Sequence, residues 1–309
     1  DEPVEFIDSY FYQIHKQNIE QNYIIDNLGD DIAVSTRPDN IWLTKQIRTD
    51  RDYAAFGEIT ADVTDKLTAT MGVRVYKYNN SLVGFFGYGA GYSGSTGEAA
   101  CFAGPIVKGS PCTNLDKSTK DTDFIHKLNL TYKFSDDALI YATASRGYRP
   151  GGVNRRGTLP PYFPDFIDNY EIGWKTSFAD RKIRFNGAIY QLDWTDIQLS
   201  FLGANGLTEV RNAGNARIRG IETDISIRPF PGLSISAGAA YNDAKITRDF
   251  CLIANAAFDC STPGNALLAP SGTRLPITAK FKGNALARYE FPIGDFKAHI
   301  QGSITYDGR

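Results

Sequence analysis

The chain has 309 residues, 22% of them charged, and a formal net charge of −2. That balance argues against nucleic-acid binding, which needs a basic excess. A mean hydropathy of −0.30, with no run near the roughly 20 apolar residues of a membrane-crossing helix, excludes helical spans but not a membrane-spanning sheet, whose strands hide half their side chains from lipid.

Phe6 to His15 reads as a first strand with poor alternation, and residues 17–50 read as loop. From residue 51 the pattern becomes regular. Tyr53, Ala55, Gly57, Ile59, Ala61 and Val63 form one face, opposed by Glu58, Thr60 and Asp62. After the tight Asp65-Lys66 turn, Leu67, Ala69, Met71, Val73 and Val75 point outward, with Thr68, Thr70 and Arg74 inward. Successive side chains of a strand face opposite ways, so each stretch has one apolar and one polar face. A long loop rich in Gly and Ser spans about residues 84–120.

The pattern resumes with Phe124, Leu128, Leu130, Tyr132 and Phe134 and turns at Ser135-Asp136-Asp137. Residues 138–148 then rise into a Gly/Pro/Arg loop at 149–165. Strands at about 166–178 and 182–199 meet at Ala179-Asp180-Arg181, and strands at about 209–229 and 233–248 meet at Pro231-Gly232. Strands through Phe281–Phe291 and Phe296–Tyr306 are joined across Pro292 to Asp295.

Long alternating stretches, with short turns at one end and long loops at the other, predict an all-β transmembrane antiparallel barrel of about eleven strands in this segment. The short turns would be periplasmic and the long loops extracellular. The 17 Tyr and 19 Phe suit an interfacial girdle. A soluble sandwich uses strands of about five or six residues, and a propeller would show a blade-length repeat; neither fits. The chain begins at Asp1 without Met or signal peptide and ends just after a strand that reads as unfinished, as an internal segment of a longer polypeptide would.

Cys101 and Cys112 fall in one loop and Cys251 and Cys260 in another. Local pairs in long loops fit two disulfides in an oxidising exterior. Zinc is the competing reading, but there is no C-x-x-C and no nearby histidine.

Several stretches also resemble one family in its own order. Leu139-Ile140-Tyr141-Ala142-Thr143-Ala144-Ser145-Arg146-Gly147-Tyr148-Arg149-Pro150-Gly151-Gly152 resembles a strand and loop of TonB-dependent outer-membrane receptors. Asp168 to Lys175, Asn212 to Glu222, Tyr53 to Glu58 and Arg274 to Lys282 are similar to further stretches of those receptors. The resemblance implies that residues 1–309 form a partial TonB-dependent receptor β-barrel domain, roughly the first half of a barrel of about 22 strands. It implies a Gram-negative outer-membrane location, with import of a scarce ligand energised by the TonB complex through a plug domain not in this segment.

The charges of Glu171, Lys175, Glu222, Arg217 and Arg219 are expected in the lumen, because an Arg or Lys facing lipid costs roughly 2–4 kcal/mol near the midplane. Candidate ligand contacts are Arg146, Arg149, Asn154, Arg155 and Arg156, which could attract an anionic chelate, and Phe85, Phe86, Tyr88 and Tyr92, which could stack on a flat one. The bland alternatives are a solvated loop bridging to lipopolysaccharide for the first group and an interfacial girdle for the second. Gly87-Tyr88-Gly89-Ala90-Gly91 lacks the Lys-Ser/Thr ending of a phosphate loop. His15, His126 and His299 show no metal-ligand spacing, and His126 reads as an interface residue near a strand start.

No catalytic constellation is present, so the reading is a non-enzyme without a cofactor. Its partners would be the TonB complex, lipid bilayer, lipopolysaccharide and a small-molecule ligand. The resemblance implies a ferric siderophore or similar chelate as the expected cargo. The alternatives are a passive porin, usually of about 16–18 strands, and a surface-binding barrel protein.

Overall fold

The computed structural model describes residues 4–157, 159–202, 208–212, 214–251, 260–261, 263, 266–276 and 278–308. Its strands are β1 (Val4–Ile24), β2 (Asn40–Thr64), β3 (Leu67–Tyr88), β4 (Leu115–Ser135), β5 (Ala138–Arg149), β6 (Asp165–Phe178) and β7 (Ile183–Thr195). They continue with β8 (Gln198–Leu202), β9 (Thr208–Asn212), β10 (Ala216–Ile227), β11 (Leu233–Ile246), β12 (Phe250–Cys251), β13 (Leu267–Ala269), β14 (Phe281–Ile293) and β15 (Phe296–Asp307). Eleven of them form one antiparallel meander in the order β1-β2-β3-β4-β5-β6-β7-β10-β11-β14-β15. The other four make two small ribbons, β8-β9 and β12-β13, within the long loops. Among the described residues β1 and β15 are the sheet edges, so the wall is a partial barrel.

Register makes the two faces explicit. Val4, Ala61, Ala69, Leu130, Ala142, Ile172, Ile189, Ile221, Tyr241 and Phe281 occupy directly opposed positions across ten neighbouring strands, and all are apolar. One residue along, the row is Glu5, Thr60, Thr70, Asn129, Thr143, Glu171, Tyr190, Gly220 and Asn242, polar except for one glycine. A slip of one residue in any pair would exchange the rows, so the contrast fixes the register. Hydrogen bonds tie the polar row together, Thr60 to Thr70 at 3.0 Å and the Asn129 amide to Thr143 at 2.8 Å.

The apolar face is not covered by protein. Ile172 is 65% exposed and Met71 58%. A water-soluble monomer rarely leaves so wide an apolar surface open, whereas a barrel wall meets hydrocarbon there. Full burial is concentrated at the long-loop end, where Val34, Leu43 and Phe85 pack with Cys101 and Cys112, and Leu82 and Leu115 pack with Val153.

Several boundaries differ from the sequence reading. β1 runs on to Ile24 and β2 starts at Asn40, so most of residues 17–50 are strand rather than loop. β4 begins at Leu115, which confines the preceding loop to 89–114 and puts His126 in mid-strand, on the apolar face opposite Val73. Near the loops both faces are wet, so alternation fades although the ladder continues. Arg217 and Arg219 lie on the face of Ile221, opposite to Glu222, and not in the lumen. There Arg217 donates to Asp193 at 2.6 Å and Arg219 to Gln191 at 2.9 Å, beyond the all-apolar row. Their partners offset the cost of that face.

Candidate functional site

The long-loop end holds the candidate ligand residues. The loop at 89–114 and the shorter one at 25–39 form a single cap. A side chain at Gly89 would collide with the Ala33 carbonyl oxygen, and one at Gly91 with the Asp31 carbonyl oxygen. The Gly-rich stretch thus serves close approach of two backbones. Glu98 accepts from the Ser35 N–H at 2.7 Å and the Ala90 N–H at 3.1 Å, and Arg37 donates to the Gly109 carbonyl at 2.9 Å. The Cys101–Cys112 disulfide closes the longer loop, and Cys251–Cys260 closes another.

Of the candidate aromatics, Phe85 is 0% exposed, beneath this cap with Val34 and Leu43. Phe86, Tyr88 and Tyr92 instead join an aromatic chain through Trp42, which the sequence reading had not singled out. Trp42 meets Phe86 edge-on at 4.7 Å and Tyr88 at 4.6 Å, and Tyr88 meets Tyr92 at 4.6 Å. The chain opens to solvent at Tyr92, 51% exposed.

The Gly/Pro/Arg loop is a strap laid over the polar face of β3 and β4. Asn80 donates to the Gly151 carbonyl at 2.9 Å, and Lys117 donates to the Arg156 carbonyl at 3.1 Å and to that of Leu159. Asn154 is buried and clamps β9, accepting from Val210 N–H at 2.8 Å and donating to its carbonyl at 2.9 Å. Arg149 makes a bidentate pair with Asp165, its Nε 2.9 and 3.0 Å from the two oxygens. Arg156 pairs with Glu209 at 3.1 Å, and Arg146 lies 3.8 Å from Asp168 and over the Phe166 ring. Arg155 differs: it is exposed, touches Gln21 at 3.4 Å and forms no salt bridge among the described residues. Asp196, at the base of the β8-β9 ribbon with φ 55°, has its carboxyl pushed up by burial.

Below the strap, Gln46, Asp50, Tyr76 and Asn80 bear buried side-chain atoms without a hydrogen-bond partner. Their even positions in β2 and β3 put all four on the polar face, continuous with Thr60 and Thr70. Buried polar groups are normally satisfied, so these mark where a further polar contact fits. Among the described residues no group of three or more His, Cys, Asp or Glu is placed to hold a metal ion.

A wall of this construction, apolar outside, polar inside and capped by loops at one end, is shared by known proteins. The family model described as "TonB dependent receptor-like, beta-barrel" matches residues 10–309. The chain belongs to that family. Members are Gram-negative outer-membrane proteins, so the apolar face meets lipid and the polar face the lumen. The chain is similar to the pesticin receptor of Yersinia enterocolitica, with 26% identity over 205 residues, 65% of this chain and 27% of that protein. It is similar to the ferrichrome outer membrane transporter/phage receptor of Escherichia coli K12, with 27% identity over 135 residues, 42% of this chain and 17% of that protein. Among solved structures, the ferric yersiniabactin uptake receptor FyuA from Yersinia pestis superposes with a TM-score of 0.72 at 17% identity, covering 99% of this chain and 40% of that one. The chain therefore spans less than half the length of these relatives.

Proposed function

We propose that this chain is the wall of a receptor that imports a scarce ligand, a ferric siderophore or similar chelate, by TonB-dependent active transport. The match of residues 10–309 to the receptor barrel family carries the reading. Relatives named for ferric yersiniabactin and ferrichrome support an iron chelate as cargo. The reading includes no catalysis and no resident cofactor. The TonB complex acts through a plug domain, and lipid and lipopolysaccharide surround the wall.

Within this reading ligand contact falls to the mouth. Tyr92, with Tyr88, Phe86 and Trp42 behind it, offers flat faces for stacking, and Arg155 offers a positive charge. Arg149, Asn154, Arg156 and Phe85 act beneath them by holding strap and cap in place, while Arg146 pairs with Asp168 on the outward face of the wall. The unpartnered polar atoms of Gln46, Asp50, Tyr76 and Asn80 face the plug or the passing ligand.

The test is uptake of radio-iron complexes of catecholate and hydroxamate chelators by cells expressing the full-length receptor, with and without TonB. Uptake that needs both receptor and TonB is expected; uptake that survives loss of TonB rules the mechanism out. Tyr92→Ala combined with Arg155→Ala should weaken binding of the transported complex about tenfold, with normal receptor abundance. A large, steady single-channel conductance from the intact protein would favour a passive channel instead.

A further inference from the structure

Two groups of outward charges on the wall differ in character. On β5, β6, β7, β10 and β11, Arg146, Asp168, Asp193, Arg217 and Lys245 lie in one register row, mixed in sign. Each of the three cations there has a carboxylate partner: Arg146 with Asp168, Arg217 with Asp193 and Lys245 with Asp243.

On β1 to β4 four outward basic side chains, Lys16, Arg51, Lys77 and Lys120, stand together without a carboxylate partner among the described residues. Lys16 lies opposite Thr49, Arg51 opposite Ile14 and Asn79, and Lys120 opposite Asn79, with Lys77 two residues further along β3. Diagonal neighbours across a sheet stand about 7–8 Å apart, so four long basic side chains can converge on one patch. Lys16, Lys77 and Lys120 are exposed and Arg51 half-buried. None of the four forms a salt bridge among the described residues. Of the acids on this face, Glu20 is held by Lys45 and Arg37, Asp116 sits four residues beyond Lys120, and Asp8 lies six residues below Ile14.

Directly below the patch come Tyr12 and Tyr53, with rings 5.0 Å apart, then Tyr10, Val75 and Phe124, all exposed. The patch thus sits between the apolar belt and the long loops. A molecule lying there would meet hydrocarbon-compatible surface below and four cations above. Lipid with a phosphorylated headgroup has that distribution of chemistry.

We infer that Lys16, Arg51, Lys77 and Lys120 form a binding site on the outer wall for the phosphates of an anionic lipid, a phosphorylated glycolipid of the lipopolysaccharide type. The inference rests on the reading of the long loops as external, which places the patch in the outer leaflet. Each basic group near an anionic lipid surface gives roughly a fivefold gain in association.

The test uses the full-length receptor in nanodiscs of zwitterionic phospholipid with increasing diphosphoryl lipid A, scored by native mass spectrometry of bound lipid. Retention of lipid A should fall at least tenfold when Lys16→Gln, Arg51→Gln, Lys77→Gln and Lys120→Gln are combined. The triple replacement Lys16→Arg, Lys77→Arg and Lys120→Arg should keep it, and Arg217→Gln with Lys245→Gln should leave it unchanged. Equal retention by the fourfold variant overturns the site. So does displacement of lipid A by millimolar inorganic phosphate, which would mean a general anion patch. Heat-modifiable gel migration and TonB-dependent uptake, followed in the same variants, report folding and transport separately, so a failed transport reading would show as lost uptake in the parent receptor.

Discussion

Asp165 is a carboxylate at the mouth on which three donors converge. It is 1% exposed and accepts from Arg149, from the Trp194 indole at 3.0 Å and from the Gln198 N–H at 3.1 Å. Asp165→Ala leaves two half-buried donors, the Trp194 indole and the Gln198 N–H, without their acceptor, and the local cost should be about 1–2 kcal/mol. Arg149 is half exposed and regains water, so a larger loss is not expected. The check is the thermal midpoint in detergent together with protease cleavage between residues 196 and 215, both of which should report loosening. Gly89→Val is a second case at this scale: its side chain would collide with the Ala33 carbonyl, so hydrogen exchange across residues 29–37 should speed up. If exchange is unchanged there, the two loops do not pack as described.

The loops behave as elements in their own right. The cap at 89–114 is held by backbone contact, by Glu98 and by a disulfide spanning 11 residues of sequence. Cys101→Ser with Cys112→Ser should destabilise the cap by roughly 2–3 kcal/mol and open Lys108 to trypsin, while the barrel still migrates as folded. The strap at 150–164 has no disulfide and relies on Asn154 and Lys117. Asn154→Ala should therefore release the strap from β9 and leave the cap intact, which proteolysis can separate. Neither clamp was legible in the sequence, because Asn154 and Val210 are 56 residues apart and no local pattern links them.

For the whole molecule, the decisive property is the pair of adjacent register rows, one apolar and one polar, that run across the sheet. Met71→Arg should cost roughly 2–4 kcal/mol of folding free energy into vesicles if its face meets the bilayer midplane. Thr70→Arg, one residue away on the lumenal face, should cost much less. Equal costs would mean that the faces are wrongly assigned. The same logic separates Arg217 and Arg219 from Glu222: odd and even positions of one strand cannot share a face without a bulge, and β10 pairs with both neighbours without one.

The sequence by itself determined the class of fold, the short turns and the strand faces wherever the two sides of a strand meet different solvents. Alternation records that difference, so it is clear from Tyr53 onward and fades through Gln17 to Asn22 and Asp116 to Asp121, where both sides are wet although the ladder continues. It also placed the four cysteines in two loop pairs. Only the tertiary structure decided which arginines carry carboxylate partners, that Phe85 is buried while Trp42 joins the aromatic chain, and that four basic residues from four strands form one outward patch. Those facts depend on register between strands and on where loops fold back, and contacts between distant residues leave no periodic trace in the chain.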